Sequence, residues 1–278
     1  MPENEEEGGP NLTFMDHLRE LRQRLWYGLV FLSISVVVAF IFRVRVIQFL
    51  IAPYIAAWNS VEGLADKPSL NYSGPLEFFV VDLKIALLTG VFLGMPLFLW
   101  QLWLFVAPGL FRKEKKYVIP FLVMGYPLFF AGGAFCYYAI LPVFFRFGLG
   151  YAQGYAAGLG ENFSINPLIM VREYASIIVK LMMGFGICFE LPLAIVILTL
   201  LDLVHWKMLL RFSRYFIVIA FIVGAVLTPP DWISQLLMAL PLIGLYFASV
   251  LVSFFLRPKT GEPEPEKKKK KKKETKKS

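Results

Sequence analysis

Two cysteines and two histidines in 278 residues leave little from which to build a metal centre or a disulfide framework. The histidines, His17 and His205, sit near the ends of apolar runs, and Cys136 and Cys188 sit inside such runs, where a thiol behaves as a small hydrophobe. No H-E-x-x-H, G-x-S-x-G or phosphate-cradling glycine loop occurs, so the common hydrolase and nucleotide-binding classes have no residues to stand on. Charge is scarce too. Only 17% of residues are Asp, Glu, Lys or Arg, against about 25% in an ordinary soluble domain. No internal repeat is evident, which counts against transporter folds built from inverted halves. The first 24 residues lack the pattern of a cleavable secretory leader, so the first apolar run is expected to remain as an anchor.

What the chain does have is apolar surface. Fifty-eight per cent of its residues are hydrophobic, and the mean hydropathy is +0.63. That much apolar side chain cannot be hidden behind a polar shell, so lipid must serve as solvent over much of the molecule. Long runs begin at Leu25, Leu76, Tyr117, Pro167, Tyr215 and Ile233, which predicts an all-α integral membrane protein of six transmembrane helices. The first run, 25–42, is preceded by an amphipathic interfacial helix opening near Thr13 and Asp16. Residues 46–58 read as amphipathic but broken at Pro53, 111–116 as a compact basic loop, and 146–166 as Gly-rich and polar. The fifth run, 215–227, reads as a short span that local bilayer thinning would accommodate. Residues 1–11 form a flexible acidic tail, 12–256 the membrane domain, and 257–278 a lysine-rich disordered tail.

Orientation follows from the basic residues. With the N-terminus inside, the cytoplasmic side carries Arg19, Arg22 and Arg24, then Arg112, Lys113, Lys115 and Lys116, then Lys207, Arg211 and Arg214, and the basic tail. Both termini are therefore expected in the cytoplasm. The net charge of +8 is no sign of nucleic-acid binding: without the lysines at 267–273, 276 and 277 it falls to about −1. The lysine run is either a solvated segment or a contact for anionic lipid.

A few polar residues stand out. Glu20 lies among arginines and Glu114 among Arg112–Lys116. Each is either a surface ion pair of little worth or a carboxylate that accepts a partner's guanidinium through two parallel hydrogen bonds. Glu190 lies deep in the fourth run, where a carboxylate is tolerated only against a bundle interior, a wet cavity or a partner. Pro192 should distort the helix beside it. Asp82 and Lys84, near the start of the second run, read as residues that snorkel to the outer interface. Gly90 and Gly94 are spaced for close helix approach, or match that spacing by chance. Asp231 and Gln235 sit one turn apart at the start of the last helix. A proton-coupled transporter using Glu190 and a membrane scaffold both remain compatible with these residues.

Five strings, in order, resemble one family. Phe14-Met-Asp-His-Leu-Arg-Glu-Leu-Arg-Gln-Arg24 is similar to the N-terminal signature of TatC, the core of the twin-arginine export system. Trp100-Gln-Leu-Trp-Leu-Phe-Val-Ala-Pro-Gly-Leu110 resembles its second-span exit, with Trp100 in place of the usual tyrosine. Phe111-Arg-Lys-Glu-Lys-Lys116, Phe185-Gly-Ile-Cys-Phe-Glu-Leu-Pro192 and Leu227-Thr-Pro-Pro-Asp-Trp-Ile-Ser-Gln235 complete the set. The resemblance implies a cupped six-helix bundle, N-in and C-in, in the bacterial inner membrane. It implies a receptor for twin-arginine signal peptides that exports folded proteins on the proton-motive force, with no catalytic residues and no cofactor. It also implies recognition by Glu20, Glu114, Arg22 and Phe105, and an intramembrane polar wall at Glu190. Pro53, Asp231 and Gln235 become structural or partner-contact positions. The partners it implies are TatA-type and TatB-type single-span proteins in an oligomeric complex.

Overall fold

The computed structural model describes residues 14–64, 67–106, 112–159, 166–200, 203–227 and 232–256; within these, the side chains of 14, 17, 106, 112–123 and 234 are not described. Both expected tails, Thr13, Pro108, Asp202 and Thr228–Asp231 lie outside the described residues. The elements run α1 (Phe14–Ile41), α2 (Arg43–Trp58), α3 (Glu77–Val106), α4 (Arg112–Phe135), a π-helical turn (Cys136–Ile140), α5 (Leu141–Gly158), α6 (Val171–Phe189), α7 (Leu191–Leu200), α8 (Trp206–Leu227) and α9 (Trp232–Phe255). Six stretches are long and apolar enough to cross a bilayer: Leu18–Ile41, Glu77–Phe105, Met124–Gly158, Val171–Leu200, Trp206–Leu227 and Gln235–Phe255. The spans expected from the runs are therefore all present.

Small residues set how the helices meet. α1 lies antiparallel along α3, with Gly28 against Phe98, Leu32 and Ser35 against Gly94, and Val36 against Gly90. A methyl group added at Gly90 would stand 2.5 Å from the Val36 backbone, so the glycine pair of α3 is a true close-approach face. The opposite stripe of α1, Trp26, Ile34, Val37 and Ile41, is exposed, as a lipid-facing surface must be. Arg43 and Asp82 close the outer end of the α1–α3 pair with an ion pair of 2.8 Å. The same logic joins α4 to α6, where Gly132 meets the Phe185 carbonyl and Gly186 meets Phe129.

The end of the bundle opposite the N-terminus is capped by α2, packed on α5 and α3. Tyr54, Trp58, Phe145 and Tyr174 interlock there edge to face and stacked. Burial pushes the Tyr54 hydroxyl up to about 12, so it stays protonated and donates to the Ser69 carbonyl at 3.1 Å. Asn71 and Met170 pair as a single bridge that ties the approach to α3 to the approach to α6. Glu77 then joins the two helix starts: its carboxylate accepts from the Ser73 backbone and hydroxyl and from the Arg172 N–H.

Four expectations need correction. α2 is continuous through Pro53, because hydroxyls from neighbouring helices reach the carbonyls near the proline: Tyr137 donates to Phe49 and Tyr174 to Leu50. Arg112–Lys116 is helical rather than a loop, forming the first turns of α4; Lys, Arg and Glu are good helix formers. The Gly-rich stretch is helical as far as Gly158, and packing on α2 outweighs glycine's propensity. The fifth span is not short, since α8 continues through Lys207, Arg211 and Arg214 for 22 residues, about 33 Å. Helical backbone bonds do not require apolar side chains, so the apolar run understates the helix.

Candidate functional site

Two polar regions sit at different depths of the bundle. The first is at the end that holds the N-terminus. Leu21, Arg24 and Leu25 of α1 line the α1–α3 seam together with Phe98, Gln101, Leu102 and Phe105 of α3, and Glu20 precedes Leu21 at that end. Glu20 is partly buried, and Arg24 donates to its Oε1 at 3.4 Å, a long i,i+4 contact. Its other oxygen has no partner among the described residues. Arg22 and Arg19 are exposed on the flanking face, beside Leu18 and Trp26, and form no ion pair among the described residues. Glu114 lies in the opening turn of α4; its side chain is outside the described residues. The fold thus brings Glu20, Arg22 and Phe105 to one corner.

The second region is inside the bundle. α6 ends at Glu190, whose N–H bonds the Ile187 carbonyl, and α7 restarts at Leu191 with Pro192 in its first turn. The expected distortion at Pro192 is therefore a one-residue interruption at Glu190, across which the Ala194 N–H still bonds the Glu190 carbonyl. The Glu190 carboxylate is turned toward Gly125 of α4, near Leu99 and Leu193. Its Oε1 is buried with no hydrogen-bond partner among the described residues. An unpartnered carboxyl within apolar walls is costly, and a bundle keeps one only where something polar arrives to meet it. Gln101 Oε1 is likewise buried and unpartnered. Sequence reading passed over Gln101, although a lone amide within an apolar run was the available signal.

The remaining positions lie apart from these two regions or outside the described residues. Pro53 lies inside α2, away from both regions. Gln235 donates from Nε2 to the Phe221 carbonyl at 2.9 Å, tying α9 to α8, while Asp231 is outside the described residues. The two cysteines are unpaired thiols, as their apolar settings led one to expect. Among the described residues, no cluster of His, Cys, Asp and Glu has the makings of a metal site.

With this geometry in view, comparison with known proteins is direct. The family described as Sec-independent protein translocase protein (TatC) matches residues 16–241. A Sec-independent protein translocase protein TatC from Desulforapulum autotrophicum is 34% identical, covering 99% of this chain and 95% of its own length. The protein of the same name from Helicobacter pylori strain J99 is 35% identical over 89% of this chain and 91% of its own. A crystal structure of the twin arginine translocase receptor TatC superposes with a TM-score of 0.74 at 35% identity, covering 86% of this chain and 98% of that one.

Proposed function

The chain belongs to the TatC family of Sec-independent protein translocases, as a multi-pass inner-membrane subunit of the Tat translocase, and we propose that its α1–α3 corner is the receptor surface for signal peptides bearing consecutive arginines. The observation that carries this reading is the state of Glu20. It is a partly buried carboxylate whose one contact among the described residues is a 3.4 Å pairing with Arg24, at the end of the α1–α3 seam that Phe105 lines. A planar guanidinium satisfies such a carboxylate through paired N–H donors; a lysine ammonium does not reproduce that geometry. Glu114 supplies the second carboxylate from α4. Arg22 and the neighbouring cations repel peptides whose charge is not matched by the two acids. Phe105 gives the peptide an apolar edge to rest on.

Glu190 is the polar wall that a translocating segment or a partner's polar group meets within the bilayer. The partners are TatA-type and TatB-type single-span proteins in an oligomeric complex, with folded cargo moved on the proton-motive force. Pro53, Asp231 and Gln235 support the outer cap and the α8–α9 hairpin against which such partners pack.

The test is binding of a synthetic signal peptide to the detergent-solubilised chain, with Arg-Arg compared with Lys-Lys, on wild type, Glu20→Ala and Glu114→Ala. The lysine swap and each variant should weaken binding at least tenfold, about 1.4 kcal/mol. Equal binding in every case overturns the assignment and leaves a scaffold or a small-solute transporter as the better reading.

A further inference from the structure

α3 and α6 both run from the outer cap toward the cytoplasm, side by side. On α6, Arg172, Ser176 and Lys180 recur every fourth residue and so share one stripe. Lys84 of α3 reaches that stripe: its Nζ donates to Ser176 Oγ at 2.5 Å, and its electrostatic neighbours are Arg172 and Lys180. Ser176 Oγ in turn donates to the Arg172 carbonyl at 2.6 Å. Three cations therefore lie close together around one hydroxyl where α3 and α6 run side by side. None of the three cations forms an ion pair among the described residues, whereas Arg43 nearby is matched by Asp82. Two carboxylates, Glu77 and Glu173, flank the outer end of this stripe, so the three cations outnumber the acids by one. Glu77 is engaged by Ser73 and the Arg172 N–H, and Glu173 is exposed at the water end of α6.

Depth makes the arrangement informative. Lys84 lies about 10 Å along α3 from Glu77, and Lys180 about 13 Å along α6 from Val171. Both are thus at or just below the outer edge of the hydrocarbon layer, where an uncompensated cation is costly unless it meets an anion. Toward the outer surface, a hollow of about 310 Å³ opens between Arg172 and Ser73–Glu77, large enough for a polar headgroup. Toward the cytoplasm, the same two stripes become apolar, with Leu87 on α3 and Met183 and Ile187 on α6; Leu87 and Ile187 are exposed to lipid. A positive rim above an apolar trough matches one molecule, with its anion at the top and hydrocarbon below.

We propose that Lys84, Arg172 and Lys180, with Lys84 positioned by the Ser176 hydroxyl, bind the phosphate of an anionic phospholipid of the outer leaflet, whose acyl chain lies along Leu87, Met183 and Ile187. The site is separate from the signal-peptide corner, which lies at the opposite end of α3.

The experiment is native mass spectrometry of the full-length chain in detergent with an equimolar mixture of phosphatidylglycerol and phosphatidylcholine. The lysine tail attracts anionic lipid by itself, so wild type and variants are compared with the tail intact. Wild type should retain phosphatidylglycerol preferentially. Lys180→Gln should cut that preference about fivefold and Lys180→Arg should keep it. The combination Lys84→Gln, Arg172→Gln and Lys180→Gln should remove what the tail does not explain. Lys180 is exposed and makes no hydrogen bond or ion pair among the described residues, so its glutamine variant should fold, and circular dichroism checks this. An unchanged preference in Lys180→Gln and in the triple variant overturns the proposal. So does displacement by excess inorganic phosphate, which would mark a site for free anions and not for lipid.

Discussion

The Tyr137 hydroxyl donates at 2.8 Å to the carbonyl of Phe49, the acceptor that an N–H at position 53 would otherwise have bonded and that Pro53 cannot. The two rings stack at 4.2 Å, so the hydrogen bond and the ring contact come from one placement. A helix in the outer cap thus carries a proline in its middle without breaking. Tyr137→Phe should destabilise the protein by about 1–2 kcal/mol, read as a lower melting temperature in detergent. In a Pro53→Ala background the Phe49 carbonyl regains a backbone donor, and the same change should cost less than about 0.5 kcal/mol. Equal costs in both backgrounds would show that the tyrosine is not compensating for the proline.

Contact between α1 and α3 depends on the absence of side chains at Gly28, Gly90 and Gly94. Gly90→Val drives methyl groups into the Val36 backbone and should cost about 2–3 kcal/mol or prevent stable insertion. Gly244, whose Cβ would meet nothing within 4 Å, should accept alanine with a change below about 1 kcal/mol. Thermal unfolding of the two variants side by side checks the contrast.

Arg24 competes with an incoming arginine for Glu20. As a partly exposed pair at 3.4 Å it contributes little to the fold, so Arg24→Ala should leave the melting temperature nearly unchanged. Signal-peptide affinity should rise two- to fivefold, since about 0.5–1 kcal/mol of intramolecular competition is gone. A fall in affinity measured by peptide titration would mean that Arg24 helps to hold the peptide.

Glu190 trades stability for a polar group at the helix break. Glu190→Leu removes a buried oxygen without a partner and should raise stability by about 1–3 kcal/mol while abolishing export of a folded reporter. Glu190→Gln keeps a polar group and should retain part of the export. A leucine variant that still exports would show that the carboxylate has no part in transport.

Much of this was legible before any coordinates. Six apolar runs gave six spans, because a bilayer needs a fixed length of apolar helix and nothing else in the chain could supply it. The glycine pair at 90 and 94 was visible as spacing, but which helix it faces was not; only Val36 and Leu32 opposite it settle that. The basic first turns of α4 and the full length of α8 are invisible to hydropathy for one reason. Hydropathy reports what contacts lipid, whereas helices continue wherever backbone bonds can form, into water included.

For the polar residues the division is similar. Their chemistry was evident from residue type alone: a carboxylate in an apolar run is costly wherever it points, and an acid among arginines can accept a guanidinium. Sequence by itself therefore determined the membrane class, the number of spans, the family motifs and the short list of functional groups, all of which depend on local composition and order. The tertiary structure alone decided who meets whom. It set Leu21 and Arg24 against Phe105 across more than 80 positions of chain, turned Glu190 to Gly125 with no partner for one oxygen among the described residues, and brought Lys84 close to Arg172 and Lys180. Those meetings depend on which face of each helix packs against which neighbour, and that is set by side-chain fit between segments far apart in the chain.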